Sequence, residues 1–469
     1  MLALPGIVGL IVAVYLRPHE WTGPFAAIPF LQIAMGLTVL GLLADILLGS
    51  ARLAAVPTLL PAVLLTVWCI ATLALREPSL VSTRAPIIFL PFAVYAILTQ
   101  AAQSARGLAV VSVALLLTGL FIAVVGADQG RSEWGCVQWN PQVSNDRGVA
   151  DGRSCPVDED HTPVEAAAAC SIGGESEAVY RCERVGAFAM VTVDNGRIAY
   201  LGVLADPNEL ALAISLAVPF AFALFEIRKT VVRFVLLLAS LGFIVTALVL
   251  TRSRGGQLAL AAVLGAYFVR RQGKLQGALV AAAFAAPLAL LGGRSSDSAA
   301  QSSLDRLTTA GAGIKLLTAY PIRGVGYSLY TIHHPLTAHN AYILAAAELG
   351  VFGLVLFCLL LLLSFKINLA VLHYPFARSD PDARALRALA MAEIAALAGL
   401  TLGVFFLSWT YHFVLWIHLG FSSAFFTVMQ RKDPHFTVRA TPGELAAITV
   451  LPLLGFAVYA VHIARMGCW

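Results

Sequence analysis

Thirteen apolar stretches run through this chain, at 1–16, 28–49, 55–75, 86–103, 107–126, 207–225, 232–250, 256–269, 276–291, 340–365, 387–409, 411–429 and 443–464. A helix needs about 20 apolar residues to cross the ~30 Å hydrocarbon core of a bilayer, and most of these stretches meet or approach that length. So many in one chain leave little room for another fold. Composition agrees: hydrophobic residues make up 59% and charged residues 12%, where a soluble domain carries roughly 45–50% and about 25%. Half the usual charge cannot cover a soluble surface of 469 residues. An ordinary cytosolic enzyme, a disordered chain and a small disulfide scaffold are excluded. The expected fold is an all-α polytopic membrane protein of about 12–14 transmembrane helices, with two extracytoplasmic loop regions. Gly and Pro within several stretches are tolerated in helix bundles in lipid. The first stretch lacks a basic n-region and a small-residue cleavage site, so it reads as a retained span. A formal net charge of +5 is too modest to suggest a nucleic-acid partner.

Orientation follows from two independent signals. Lys and Arg concentrate in short cytoplasmic loops. With the N-terminus inside, the inside loops hold Arg52, Arg106, Arg228, Lys229, Arg233, Arg270, Arg271, Lys274, Lys366, Arg378, Arg384, Arg431, Lys432 and Arg439. Cysteine is the second signal. Cys136, Cys155, Cys170 and Cys182 fall in the polar stretch 127–205, which then lies outside, while Cys69 and Cys358 lie in spans and Cys468 near the C-terminus. Four extracytoplasmic cysteines make two disulfides, with three pairings open. Free thiols or a zinc site are the alternatives, although the spacings match no familiar zinc pattern. The chain is thereby expected to divide into N-terminal helices (1–126), a cysteine-bearing loop (127–205), helices with an Arg254 motif (206–291), a loop with a surface helix (292–338) and C-terminal helices (339–469). Both loops lie outside, 366–386 and 430–442 inside, and the C-terminus outside.

Two outside regions break the charge rule. One is Thr251-Arg252-Ser253-Arg254-Gly255-Gly256; the other, 292–338, holds Arg294, Arg306, Lys315 and Arg323. Cations kept against the insertion bias usually hold an anion, and the planar guanidinium suits phosphate. An isolated Arg such as Arg252 is equally served by snorkelling to headgroups. Arg254 is different, because Gly255-Gly256 lets backbone approach a ligand near a helix start, where free N–H groups favour anions. In the second region, Ser302-Ser303-Leu304-Asp305 has the form of a capping box. Leu304, Leu307, Ile314 and Leu317 recur at roughly helical spacing up to Pro321, and Gly324-Val325-Gly326 makes a turn. These features predict a helix on the outer membrane surface with Arg306 in its first turn, where a cation opposes the dipole and needs an ion pair or bound phosphate.

Thr337-Ala338-His339-Asn340 then enters the tenth stretch, and Glu348-Leu349-Gly350 follows. His339 at a helix mouth is a candidate general base, the alternative being a helix cap with an interfacial His. Glu348 falls ~13 Å deeper along a helix, where a carboxylate must be neutral, paired or facing a polar cavity. His333 and His334 raise a metal alternative, but no carboxylate or cysteine set completes it. Asp206-Pro207-Asn208-Glu209 reads as simple helix initiation. His412, His418 and Glu393 can pair within the bundle, and Trp409, Tyr411 and Trp416 fit an aromatic belt.

Taken in order, Ser253-Arg254-Gly255-Gly256, Ser303-x-x-Arg306, Pro321-x-x-Gly324-Val325-Gly326, His339-Asn340 and Glu348-x-Gly350 resemble the O-antigen ligase and O-antigen polymerase superfamily of bacterial membrane glycosyltransferases. Asp206-Pro207-Asn208 and Tyr15-Leu16-Arg17-Pro18-His19-Glu20 are also similar to many members. The resemblance covers roughly 200–365 well and the rest by hydropathy alone. Each motif is weak by itself; their order and shared outer face make the set specific.

The resemblance implies a GT-C-type helical fold in the bacterial inner membrane. It implies a glycan donor on undecaprenyl pyrophosphate, transferred on the periplasmic side without metal or other cofactor. Arg254 and Arg306 would hold the pyrophosphate and His339 would act on the reacting groups. Arg252, Arg323, Asn340, Gly324, Gly326 and Glu348 would help bind substrate. Arg254, Arg306 and His339 are expected to meet at one cavity opening to the outer leaflet. The 127–205 loop is larger than a simple ligase needs, which leaves the acceptor open between a glycan and a lipid core. Membrane lipids and polysaccharide-assembly proteins are the further partners implied. Two other classes stay in view. A flippase for lipid-linked sugars would show pseudo-repeats and paired broken helices, and an assembly scaffold would use 127–205 for docking. The polar residues cluster on one face and in the second half of the chain, which favours an enzyme.

Overall fold

The computed structural model describes residues 1–21, 23–140, 148–156, 170, 179–194, 196–291 and 296–467. Arg294 and Cys468 lie outside the described residues. The fold is all-α and polytopic. Among the described residues ten helices are long and apolar enough to cross a membrane: Phe30–Leu47, Leu59–Arg76, Pro78–Ala101, Ala105–Gln129, Pro207–Ile227, Val231–Thr251, Ala341–His373, Ala383–Gly403, Phe413–Lys432 and Pro442–Arg465. The other three expected stretches are also helical. Leu4–Tyr15 is only 12 residues long. Arg254–Gln272 and Lys274–Leu291 form a helical hairpin that turns at Gly273, whose φ of 100° suits only glycine. Gly277 lies so close to the backbone of Val269 that a Cβ would overlap it.

The chain divides into two compact units. The first comprises Met1–Leu10, Ala34–Val113 and Arg294–Trp469; the second comprises Ile11–Ile33 and Ala114–Gly293.

Within the first unit, Phe413–Lys432 is the central helix, 89% buried, while Pro442–Arg465 is only 11% buried and turns its apolar side chains outward. Lipid tails give apolar helices no reason to associate, so close packing of small residues and polar contacts must hold them. Gly420 meets the backbone of Tyr95. The Tyr95 hydroxyl donates to Thr58 Oγ1 at 2.8 Å, and Thr58 pairs with Ser423 at 2.6 Å. Glu393 and His418 pair as the sequence allowed, at 3.2 Å, with Ser422 donating to Glu393 at 3.0 Å.

Side-chain contacts sort the loops of this unit into two ends, which helix Val81–Ala101 joins. At one end Arg431 donates to the Ser50 carbonyl and Gln103, Lys432 pairs with Asp380 and Asp382, and Lys366 pairs with Glu444. At the other end Arg84 reaches Ser328, the Tyr327 and Tyr411 rings meet at 4.7 Å, and Thr337 bonds Ser408.

The second unit carries the non-helical part. A three-stranded antiparallel sheet, in order β2-β1-β3, is built from β1 (Trp134–Trp139), β2 (Val149–Ser154) and β3 (Val179–Arg184). Cys136 and Cys182 face each other across β1 and β3. Cys136 bonds Cys170 and Cys155 bonds Cys182, with Cα–Cα separations of 5.5 Å and 5.9 Å. Arginines lie over the sheet's aromatic rings: Arg184 on Trp134, Arg181 on Trp139 and Arg153 on Tyr180. Elsewhere in the unit, Gly119 and Gly256 let helices close onto Ala217 and Ala211.

Candidate active site

Arg306 lies on helix Ser296–Ala319. The capping-box reading placed the helix start at Ser302, but the helix begins six residues earlier and runs through Ser302–Asp305 without a break. Asp305 accepts a hydrogen bond from Gln301 one turn back, at 2.9 Å, instead of closing an N-terminus. Arg306 is therefore mid-helix, and the dipole argument for it falls. The buried face also differs from the expected leucine stripe. Leu304 is 45% exposed; among the described side chains Thr309, Ala310, Gly311, Gly313, Ile314 and Leu317 are the buried positions. Gly313 admits Ile343 of helix Ala341–His373 at a distance where a Cβ would overlap it. The Arg306 guanidinium sits 5.9 Å from the centre of the Phe406 ring and acts electrostatically on Tyr459.

Tyr459 is one wall of an apolar cavity of about 390 Å³. Asn340, Tyr342, Thr401, Phe405 and Pro452 are among its other walls. Asn340 is the N-cap of helix Ala341–His373: its Oδ1 accepts from the N–H groups of Tyr342 and Ile343 at 2.9 Å and 3.0 Å. That use satisfies two of the helix's orphan donors. His339 precedes it, partly exposed, with φ of 48°. A left-handed conformation is uncommon for a residue with a Cβ. Arg306, the cavity and the His339–Asn340 helix mouth thus belong to one unit.

Helix Ala341–His373 is broken at Gly350, which has φ 70° and ψ −170°. In an unbroken helix the Ala347 carbonyl would accept from the Val351 N–H. Here Ala347 accepts from Val325, and Val351 donates to Pro321, at 2.9 Å and 2.8 Å. Gly326 donates to the Glu348 carbonyl at 2.9 Å. The segment Pro321–Tyr330 is therefore a strap that closes the break with its own backbone. Gly324 and Gly326 are buried in that contact. A Cβ on Gly324 would overlap the backbone of Glu348, and one on Gly350 the backbone of Ile322. Their small size serves the strap, where the resemblance implied a substrate role. Arg323, on the same strap, is exposed.

Glu348 is 3% exposed. One carboxylate oxygen accepts from the Tyr330 N–H at 3.1 Å; the other, like the nearby buried Tyr411 hydroxyl, has no hydrogen-bond partner among the described residues. Burial raises the pKa of the Tyr411, Tyr327 and Tyr330 phenols, and the Glu348 carboxyl adds to the rise in each. A carboxyl so placed orders the strap and the aromatic residues around it.

In the second unit, Arg252 ends helix Val231–Thr251 in a left-handed conformation with φ of 50°. Ser253 caps the next helix by accepting from the Gly256 N–H at 3.1 Å, and its hydroxyl donates to Asn208 at 2.7 Å. Asn208 in turn bonds Asp206, the N-cap of Pro207–Ser215. The Asp206-Pro207-Asn208 motif thereby braces the Ser253 turn. Arg254 is exposed, and its guanidinium makes no hydrogen bond or ion pair among the described residues. Arg184, near Arg252, has its pKa lowered by burial and then by that second cation. The turn is thus strongly electropositive.

Sequence reasoning missed Arg76 and Arg84. Arg84 donates to the Ser328 carbonyl at 2.7 Å and its hydroxyl at 2.6 Å, holding Ser328 in the left-handed region. Arg76 reaches the Gly324 carbonyl at 3.4 Å and lies over the Tyr320 ring. Both fall between the apolar stretches 55–75 and 86–103, where the charge rule assigns the outside, although the structure places them at two helix ends; that anomaly was the signal that could have found them. The Gly350 break left no mark in the hydropathy, because the residues on both sides are apolar.

Residues 238–358 match the family model described as O-antigen ligase. That segment, about a quarter of the chain, is similar to the O-antigen ligase family. No curated protein matches the chain. The matched segment takes in the Ser253–Arg254 turn, Arg306, the strap, His339 and Glu348. It leaves outside it the sheet with its four cysteines, the Tyr15–Glu20 motif, and Arg76 and Arg84. An O-antigen ligase-like transfer between a lipid-linked glycan and an acceptor is the general activity that goes with such a domain.

Proposed function

We propose that the protein is a glycosyltransferase of the bacterial inner membrane, moving a glycan from undecaprenyl pyrophosphate to an acceptor hydroxyl on the periplasmic face. The observation that carries this reading is the amphiphilic site of the first unit. That unit holds an apolar cavity, the Arg306 guanidinium over the Phe406 ring next to the cavity's Phe405 wall, and an imidazole beside Asn340 at the helix mouth. A donor of this kind has the same three demands: an apolar chain, an anionic pyrophosphate and a reacting sugar carbon.

In this mechanism the acceptor oxygen attacks the anomeric carbon while the bond from that carbon to the pyrophosphate oxygen breaks. The acceptor proton goes to His339. Arg306 stabilises the charge growing on the leaving pyrophosphate, more in the transition state than in the ground state. In the second unit Arg254, exposed beside Gly255-Gly256 and a helix N-terminus, also suits a phosphate group, with Arg252 beside it; in the first unit Arg323 adds positive potential. With arginines supplying the electrostatic stabilisation, the transfer is independent of metal. The loop ends support the orientation: the loops that the positive-inside rule assigns to the cytoplasm gather at one end of the first unit, and the strap lies at the other.

Purified protein given an undecaprenyl-pyrophosphate-linked oligosaccharide, with and without lipid A–core, tests the reading. A single transfer to the core identifies a ligase and a ladder identifies a polymerase. No transfer with any acceptor, from donor shown to bind, would overturn the proposal. Activity is expected to survive chelation.

A further inference from the structure

The Tyr15–Glu20 motif takes no part in the transfer chemistry, yet it is tightly built. Arg17 adopts a left-handed conformation with φ of 48° and pairs with Glu20, Nε to Oε1 at 2.6 Å. Gly202 makes room for the Arg17 side chain, which a Cβ at that position would overlap. The Trp21 indole N–H donates to the Leu16 carbonyl at 3.0 Å and lies 3.3 Å from the Tyr200 hydroxyl. These contacts fix the plane of the Trp21 ring.

Two further rings lie nearly parallel to it. Phe188 is 4.8 Å from Trp21, centre to centre, at 24°, and Phe121 is 5.8 Å away at 26°. Phe188 comes from a turn between β3 and Tyr200, and it is 38% exposed. Phe188 and Ala189 both have positive φ, 58° and 56°. A bulky aromatic residue in that region is a true outlier, and such strain collects at ligand clamps and switches. A relaxed turn would carry glycine here. Instead the turn holds an aromatic ring half open on top of another, with Arg17, His19 and Glu20 as a polar rim, each partly exposed.

We propose that this face of the second unit is a carbohydrate platform. A pyranose ring has one face of C–H groups and a rim of hydroxyls. Stacked aromatic rings match the first, and a guanidinium, an imidazole and a carboxylate match the second. A lipid chain would match the rings but leave the ion pair without purpose. The platform deepens the glycan-transfer reading and rests on it only for the ligand class. It selects sugar, while the chemistry belongs to other residues.

Binding can be measured without transfer, so the two ideas fail separately. Full-length protein in detergent is titrated with lipid-free oligosaccharides: core oligosaccharide released from lipopolysaccharide, chitotriose and maltotriose. Saturation-transfer NMR reads the sugar protons. At least one sugar is expected to bind the wild type. Phe188→Ala is expected to weaken it about tenfold and Phe188→Trp to retain it. Phe188→Gly relaxes the turn, so it is expected to keep or raise the thermal midpoint while losing affinity like Phe188→Ala. That separates ligand contact from folding. Wild-type protein that binds none of the sugars, or Phe188→Gly that binds them as well as wild type, overturns the proposal.

Discussion

Replacing Gly350 by alanine tests the strap directly. Its φ of 70° with ψ of −170° lies where essentially only glycine goes. Holding alanine there costs about 1–3 kcal/mol. The new Cβ would also overlap the carbonyl group of Ile322 and the nitrogen of Arg323. These are backbone atoms, so no side-chain rotation relieves the overlap. The strap must move, and with it go the bonds from Val325 to Ala347, Gly326 to Glu348 and Val351 to Pro321. At a net 0.5–1.5 kcal/mol per bond, the full loss is on the order of 3–7 kcal/mol. A unit of this size shifts its midpoint by roughly 2–4 °C per kcal/mol, so a fall of about 6–28 °C is expected. Cys69 and Cys358 are buried free thiols, so a thiol-reactive fluorophore followed during heating reports the unfolding of the first unit. Gly36, with no atom near a built Cβ, is the control, and Gly36→Ala should leave the midpoint unchanged. A Gly350→Ala protein within 2 °C of wild type would refute the claim that the strap closes the break.

Peptide mapping without reduction is expected to recover Cys136–Cys170 and Cys155–Cys182; replacing either pair by serine is expected to destabilise the loop by ~2–4 kcal/mol, and four alkylated thiols after oxidation would contradict it. Arg254→Lys and Arg306→Lys are each expected to lower turnover about 10²–10³-fold, because charge remains but the bidentate fork is lost; near-normal rates for either variant would remove it from the mechanism. His339→Ala is expected to lose transfer while binding donor, and wild-type turnover would exclude His339 as the base. Cysteines introduced into 366–386 are expected to label only from the cytoplasmic side, and labelling from outside would invert the topology.

The spans were legible because a bilayer imposes one strong rule, a long apolar run, and ten such helices stand where the runs predict. The sheet was less so, because neither Trp134–Trp139 nor Val179–Arg184 keeps a strict alternation of apolar and polar residues. The cysteine pairing was beyond reach, since four cysteines allow three connectivities, and Cys136 and Cys182, opposite each other across β1 and β3, each bond a cysteine outside those two strands. Ser302–Asp305 misled because a capping box is local, and nothing in Ser296–Gln301 stops a helix from starting earlier. At Gly350 the pattern was silent for a different reason. The break is closed by residues 321–326, and hydropathy describes a segment, not its partner.

That dependence on a distant partner has a consequence for how the protein is made. A half-helix ending in open carbonyl and amide groups is unfavourable in lipid, where each unmet polar group costs several kcal/mol. The strap that meets them precedes the break in the chain and rests on Arg76 and Arg84, which come earlier still. The ribosome therefore delivers the receptor before the element it receives. Emergence of residue 351 allows the strap to close at once, while the helices from Ala383 onward are still to come.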